Sequence, residues 1–136
     1  MAAQGCSLAS VDDSSGAANA VEQWLTEAAS RTGDRGWRWL HRVTQEQNYL
    51  DAVDVYQREA DSADWQRFDW QVTGARLFDG EYRVDLSVDD DLSTIPRFLV
   101  DRGLLTLVTT DDGSKVAVVA VEIQPGDGTF GILGSP

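Results

Sequence analysis

The amino-acid sequence predicts an α+β domain, in which three amino-terminal helices pack on a curved antiparallel sheet of about four to six strands. Three observations predict it. Apolar residues recur at helical spacing from Ala17 to Ala60. Strict alternation then takes over, as in Tyr82, Val84, Leu86 and Val88 with Arg83, Asp85 and Ser87 between them. Helices and strands are segregated along the chain rather than interleaved, which is the order of α+β and not of doubly wound domains. Helices on one face of a bent sheet can enclose a cone-shaped pocket.

The elements follow in order. Ser14 or Ser15 is placed to cap a first helix, with Asp12 and Asp13 near its positive end. Val21, Trp24, Leu25 and Ala28 form its apolar stripe, and Thr32-Gly33 stops it, because glycine suits the left-handed position after a helix. Asp34 caps a second, short helix over 34–44, whose stripe is Trp37, Leu40 and Val43 or Thr44; Trp39 lies off that stripe. Asn48 caps a third helix carrying Tyr49, Val53 and Tyr56 at helical spacing, with Asp51 early enough to favour the helix dipole. Glu59 and Asp61 lie at its unfavourable end, so fraying is expected there. Asp64-Trp65 opens the passage to the sheet.

A first long strand is expected over 67–78, with Phe68, Trp70 and Val72 alternating against Asp69, Gln71 and Thr73. Gly74 marks a bulge, since a residue without Cβ permits the extra bend. Asp79-Gly80 predicts a type I′ hairpin turn, whose two central positions both need positive φ. The return strand spans 81–89. Ile95, Pro96, Phe98, Leu99 and Val100 form an apolar insert that covers one mouth of the fold. Strands follow over 104–110 and 115–124, joined by Asp112-Gly113. The unbroken apolar run from Val116 to Val121 predicts a central strand covered on both faces. Phe130, Ile132 and Leu133 return as a short tail against the sheet.

The chain has 136 residues, 42% of them hydrophobic and five of them tryptophan, which suits one globular domain. Residues 1–15 read as a flexible tail and 16–136 as the domain. The formal charge is -12, from 23 acidic residues against 11 basic ones. Such a field repels phosphate polyanions and anionic bilayers, so nucleic acid is not an expected partner. Its ordinary consequence is solubility. Of the 11 basic residues one is a lysine, Lys115, a bias that reads as codon usage rather than as a binding device. With Cys6 as its one cysteine the chain forms no internal disulfide. The acidic run Asp89-Asp90-Asp91 lacks the spaced ligands and glycine of a calcium loop. No metal or cofactor is expected.

Gly5-Cys6-Ser7, followed by a Ser-, Gly- and Asp-rich stretch, resembles the junction of a bacterial lipoprotein. The resemblance implies a lipid anchor at Cys6 and an extracytoplasmic, envelope-bound domain. It requires an apolar leader ahead of Met1, because five residues cannot form one. The alternative is a free thiol in the tail of a cytoplasmic protein.

Three helices, a tryptophan-rich passage and a long hairpin pair resemble the cystatin-like α+β roll, which includes nuclear transport factor two-like, ketosteroid isomerase-like and SnoaL-like domains. The segment 33–41 resembles the family's second-helix region. Ala63-Asp64-Trp65 with Phe68-Asp69-Trp70 resembles its approach to the first long strand. That fold hosts enzymes and non-enzymes alike.

Two functions are therefore expected as alternatives. The first is a non-catalytic envelope domain that binds a protein partner or a small apolar ligand in the cone. Trp39, Tyr49, Tyr56, Trp65 and Trp70 are the candidate lining, since aromatic rings supply an apolar wall with polar tips. The second is a small isomerase, cyclase or dehydratase. Its base would be Asp69, the position that the resemblance implies if it pointed into an apolar cone, or His41, the only histidine. Tyr56 would donate a hydrogen bond. Strand alternation places Asp69 outward. A homodimer through a sheet patch of Val72, Leu77 and Phe78 is a third arrangement.

Overall fold

The computed structural model describes residues 13–30, 33–46, 53–88, 92–126 and 128–134. Within them helices pack on one face of a curved antiparallel sheet of five strands, the α+β architecture that the periodicity predicts.

Helix α1 (Ser14–Ser30) buries Ala17, Ala20, Val21, Trp24, Leu25 and Ala28, a stripe set by the 3.6-residue repeat. Its cap is Asp13 rather than Ser14 or Ser15: the Asp13 Oδ1 accepts from the Gly16 N–H at 3.2 Å. The carboxylate both satisfies an orphan donor and sits at the positive helix end. Gly33 follows with φ of 58°.

The single helix expected over 34–44 does not form. Arg35 and Gly36 take positive φ, and Asp34 then caps a short 3-10 turn, Trp37–Trp39, through its carboxylate to the N–H groups of Gly36 and Arg38. Leu40 is extended and bridges Ile132 in parallel, and the His41 N–H donates to the Ile132 carbonyl. Only then does α2 (Arg42–Glu46) begin. A sheet edge has taken two residues that helical spacing alone assigns to a helix.

Helix α3 (Val53–Ser62) buries Tyr56 and Ala60. Asn48, Tyr49 and Asp51 lie outside the described residues. Its acidic end is held rather than loose. Asp61 pairs with the buried Arg35, and Glu59 pairs with Arg102. Arg35 also donates to the carbonyls of Ala28 and Ala60, so one guanidinium ties the end of α1 to the end of α3.

After a 3-10 turn (Trp65–Arg67), β1 (Trp70–Phe78) and β2 (Glu81–Val88) form the long hairpin. Asp79 and Gly80 both have positive φ, as the type I′ turn demands. The ladder shifts between Val72 and Gly74, so Thr73 is the extra residue of the bulge. A 3-10 turn (Leu92–Thr94) and α4 (Arg97–Asp101) follow, burying Ile95, Pro96, Phe98 and Leu99, with the Phe98 ring against Tyr56 and Trp65. Strands β3 (Thr106–Thr109), β4 (Lys115–Ile123) and β5 (Phe130–Leu133) complete it.

Strand order is β1-β2-β4-β3, and β5 also pairs with β4. β3 opposes 115–118 of β4 and β5 opposes 120–123, so the two lie end to end along one side of it. β4 is central, but it is not covered on both faces. Ala117, Val119 and Val121 are buried, whereas Val116, Val118 and Ala120 are only half-buried. Val118 and Ala120 line an open groove of about 390 Å³ together with Arg83, Thr106 and Leu133.

Candidate functional site

A cleft of about 670 Å³ opens at one end of the sheet, lined by Ser87, Val88, Leu92, Ser93, Leu107, Thr109, Lys115 and Val116. It is larger than the outer-face groove and than the two of about 270 Å³ beneath α4 and beside Trp39. Its size lies within the usual range of small-molecule sites, about 300–1,000 Å³.

Strand register creates it. β2 and β4 pair only as far as Leu86 and Ala117. Beyond that point β2 stays with β1, through Ser87 to Gln71 and Val88 to Trp70. β4 stays with β3, through Val116 to Val108 and Lys115 to Thr109. The sheet splits into two hairpins, and residues of both parities reach the gap. The β1 bulge lies opposite Asp85 and Leu86, at the level where the two strands part. A bulge bends its strand and raises local twist, which turns one hairpin away from the other. The 3-10 turn places Leu92 and Ser93 on the far wall.

The cleft joins an apolar wall (Val88, Leu92, Leu107, Val116) to hydroxyls (Ser87, Ser93, Thr109) and one ammonium, Lys115. None of the aromatic residues expected to line a pocket is among them. Tyr56 is fully buried in the core. Its hydroxyl accepts from the Trp24 Nε1 at 3.0 Å and donates to the Arg35 carbonyl at 2.7 Å, so both its functions are used internally. Burial pushes that hydroxyl above its ordinary pKa; the Trp24 hydrogen bond only partly opposes the shift. Trp65 is buried and donates to the Ala60 carbonyl. Ring contacts chain Trp37 to Tyr56, Tyr56 to Phe98, Phe98 to Trp65 and Trp65 to Phe68, an interior spine under the helices. Trp39 and Trp70 are half-buried at its margins, and Tyr49 lies outside the described residues. The Trp39 Nε1 donates to Glu27 at 2.9 Å. Burial raises the Glu27 pKa, but that bond and the Arg38 pair outweigh it and hold the carboxyl below its ordinary value.

Asp69 is exposed on the chain segment leading into β1, so it shares no surface with the buried Tyr56. His41 is buried against β5, where a Cβ on Gly131 would stand 2.7 Å from its Cα. Its Nδ1 accepts from the Val43 N–H at 3.1 Å, capping α2. In the neutral ring the proton then sits on Nε2, which is buried and has no partner among the described residues. Asp69, His41 and Tyr56 thus occupy an exposed segment, a sheet edge and the core respectively. Among the described residues no three His, Cys, Asp or Glu side chains converge on a point that could hold a metal ion. No described helix is long and apolar enough to cross a membrane. Cys6 lies outside the described residues.

Sequence reasoning missed all eight lining residues of the cleft, Ser87, Val88, Leu92, Ser93, Leu107, Thr109, Lys115 and Val116. The one local signal was Lys115, a single lysine among ten arginines. Compared with known proteins, the chain matches no family model, no curated protein and no solved structure.

Proposed function

We propose that this chain is a non-catalytic binding domain of the cell envelope, whose site is the cleft where the sheet splits and whose ligand is a small apolar molecule. The observation that carries the reading is the cleft itself: about 670 Å³, with an apolar wall and a few polar groups at its margin. That balance is the usual one for ligand sites, in which apolar surface supplies affinity and sparse polar groups supply orientation. The aromatic rings contribute by bracing the helices against the sheet rather than by touching ligand. Tethering through Cys6, and descent from a cystatin-like roll, belong to the same proposal; element order and the Gly-Cys-Ser junction support them.

Octan-1-ol, followed by methyl-resolved NMR, tests the site. Val88, Leu92 and Leu107 methyl signals are expected to shift with saturable dose dependence, and Leu107→Asp to abolish the shifts while the fold persists by circular dichroism. Shifts confined to other regions, or none, overturn the reading. A labelled fatty acid incorporated by the complete gene product, and lost in Cys6→Ser, tests the tether separately.

A further inference from the structure

The chain carries a strong excess of acid, and its cations are almost all spent internally. Eight arginines lie within 4 Å of a carboxylate oxygen: Arg35, Arg38, Arg58, Arg67, Arg76, Arg83, Arg97 and Arg102. Lys115 makes no such pair among the described residues, and it lines the largest of the clefts described above. In a molecule of net charge -12, Lys115 is an ammonium at the margin of an apolar cleft with no carboxylate partner among the described residues.

Resting on the reading of the cleft as a binding site, we propose that its ligand is an amphipathic monocarboxylate. The carboxylate pairs with Lys115, and the aliphatic chain lies over Val88, Leu92 and Leu107. The geometry of the ladder favours this arrangement. Thr109 stands directly opposite Lys115. Directly opposed residues on one face have Cβ atoms about 4.5–5.5 Å apart, so a hydroxyl donor and an ammonium face the same oxygens. Leu107 is two residues before Thr109 and so shares its face, one strand step deeper. Head group and tail are therefore met in sequence along β3. A hydrogen bond between charged groups is stronger than a neutral one, which sets the orientation. Asp89, Asp90 and Asp91 join Val88 to Leu92 in the chain and lie outside the described residues; they are the reason that a cationic amphiphile is the necessary counter-test.

Isothermal titration of the full chain with octanoate, octan-1-ol and octylamine, all below their aggregation limits, decides the matter. Octanoate is expected to bind tightest. Lys115→Gln is expected to weaken octanoate about five-fold, the size of a solvent-accessible ion pair, and to weaken octan-1-ol by a much smaller factor, because an alcohol presents no charge to the ammonium. Lys115→Arg keeps the charge and is expected to retain most octanoate affinity. Equal binding of octanoate and octan-1-ol, tighter binding of octylamine, or indifference to Lys115→Gln overturns the carboxylate proposal while leaving the cleft as the site. Failure of both octanoate and octan-1-ol to bind overturns the cleft reading and the carboxylate with it.

Discussion

Replacing Tyr56 by phenylalanine removes one oxygen from the centre of the core and leaves two buried polar groups behind. The Trp24 Nε1–H loses its acceptor, and the Arg35 carbonyl loses a donor. Tyr56 and Trp24 are both fully buried, so water cannot substitute without a rearrangement of the packing. An orphaned buried donor or acceptor costs about 1–3 kcal/mol. The pair together is expected to cost about 2–4 kcal/mol, a large share of the roughly 5–15 kcal/mol that holds a domain of this size. Urea unfolding followed by tryptophan fluorescence measures it, with an unchanged m-value to show that the unfolded state is the same. The same substitution carries a pH signature. In the folded protein burial raises the Tyr56 pKa, whereas in the unfolded chain the phenol ionises near its ordinary value. The stabilising difference is therefore intact below about pH 10 and is lost above it, by about 1.4 kcal/mol per pH unit. Tyr56→Phe lacks this alkaline component. A loss under about 0.5 kcal/mol, or an alkaline slope identical in both proteins, refutes the assignment of Tyr56 to a fully satisfied core position.

Three further outcomes are expected. Gly131→Ala places a Cβ 2.7 Å from the His41 Cα, backbone that cannot yield cheaply; a loss of about 1–3 kcal/mol and faster exchange of the His41 amide are expected, and an unchanged urea midpoint contradicts the close approach of the two segments. Arg35→Met removes the guanidinium donor from the Ala28 carbonyl and the partner from Asp61, while the Ala60 carbonyl keeps the Trp65 Nε1 donor; it is expected to cost about 1–3 kcal/mol, and a neutral result in thermal unfolding removes Arg35 as the tie between α1 and α3. Asp112 accepts from Thr110 and Ser114, which hold its carboxyl well below the usual range, at about 2; its contribution to stability is present above the ordinary carboxylate pKa and is lost as the pH falls through about 2. Carboxyl NMR titration reads this directly, and Thr110→Val is expected to move the midpoint upward.

What was legible in the sequence was local. Asp79-Gly80 declared a type I′ turn because few residue pairs tolerate two positive φ angles, and the structure has them there. Gly74 flagged the bulge to within one residue, the extra residue being its neighbour Thr73. Asp69 read as outward from alternation, and it is exposed. The features that were not legible depend on partners far along the chain. Leu40 and His41 leave the helical path because Ile132 offers a strand edge to them, and nothing within a few residues of Leu40 records that. Val116 to Val121 is apolar throughout, so its pattern cannot distinguish a covered outer face from an open groove. A tryptophan or tyrosine satisfies either a pocket wall or a packed interior. Burial, together with the hydrogen bonds made by Tyr56 and Trp65, places these two inside. The cleft has no local signature at all, since it arises where two ladders end at different levels.

Two short strands sharing one flank of β4 divide the labour between permanence and access. β5 is fastened from outside by Leu40 and His41 and contributes the fully buried Ile132. β3 is exposed along its whole length, and the chain before it is anchored by the buried Leu104 and Leu105, whose N–H groups both donate to the Leu99 carbonyl. Exposed throughout and laddered to β4 over four residues, β3 is expected to have lower local stability than β5, read as faster amide exchange along Thr106–Thr109 than along Phe130–Leu133.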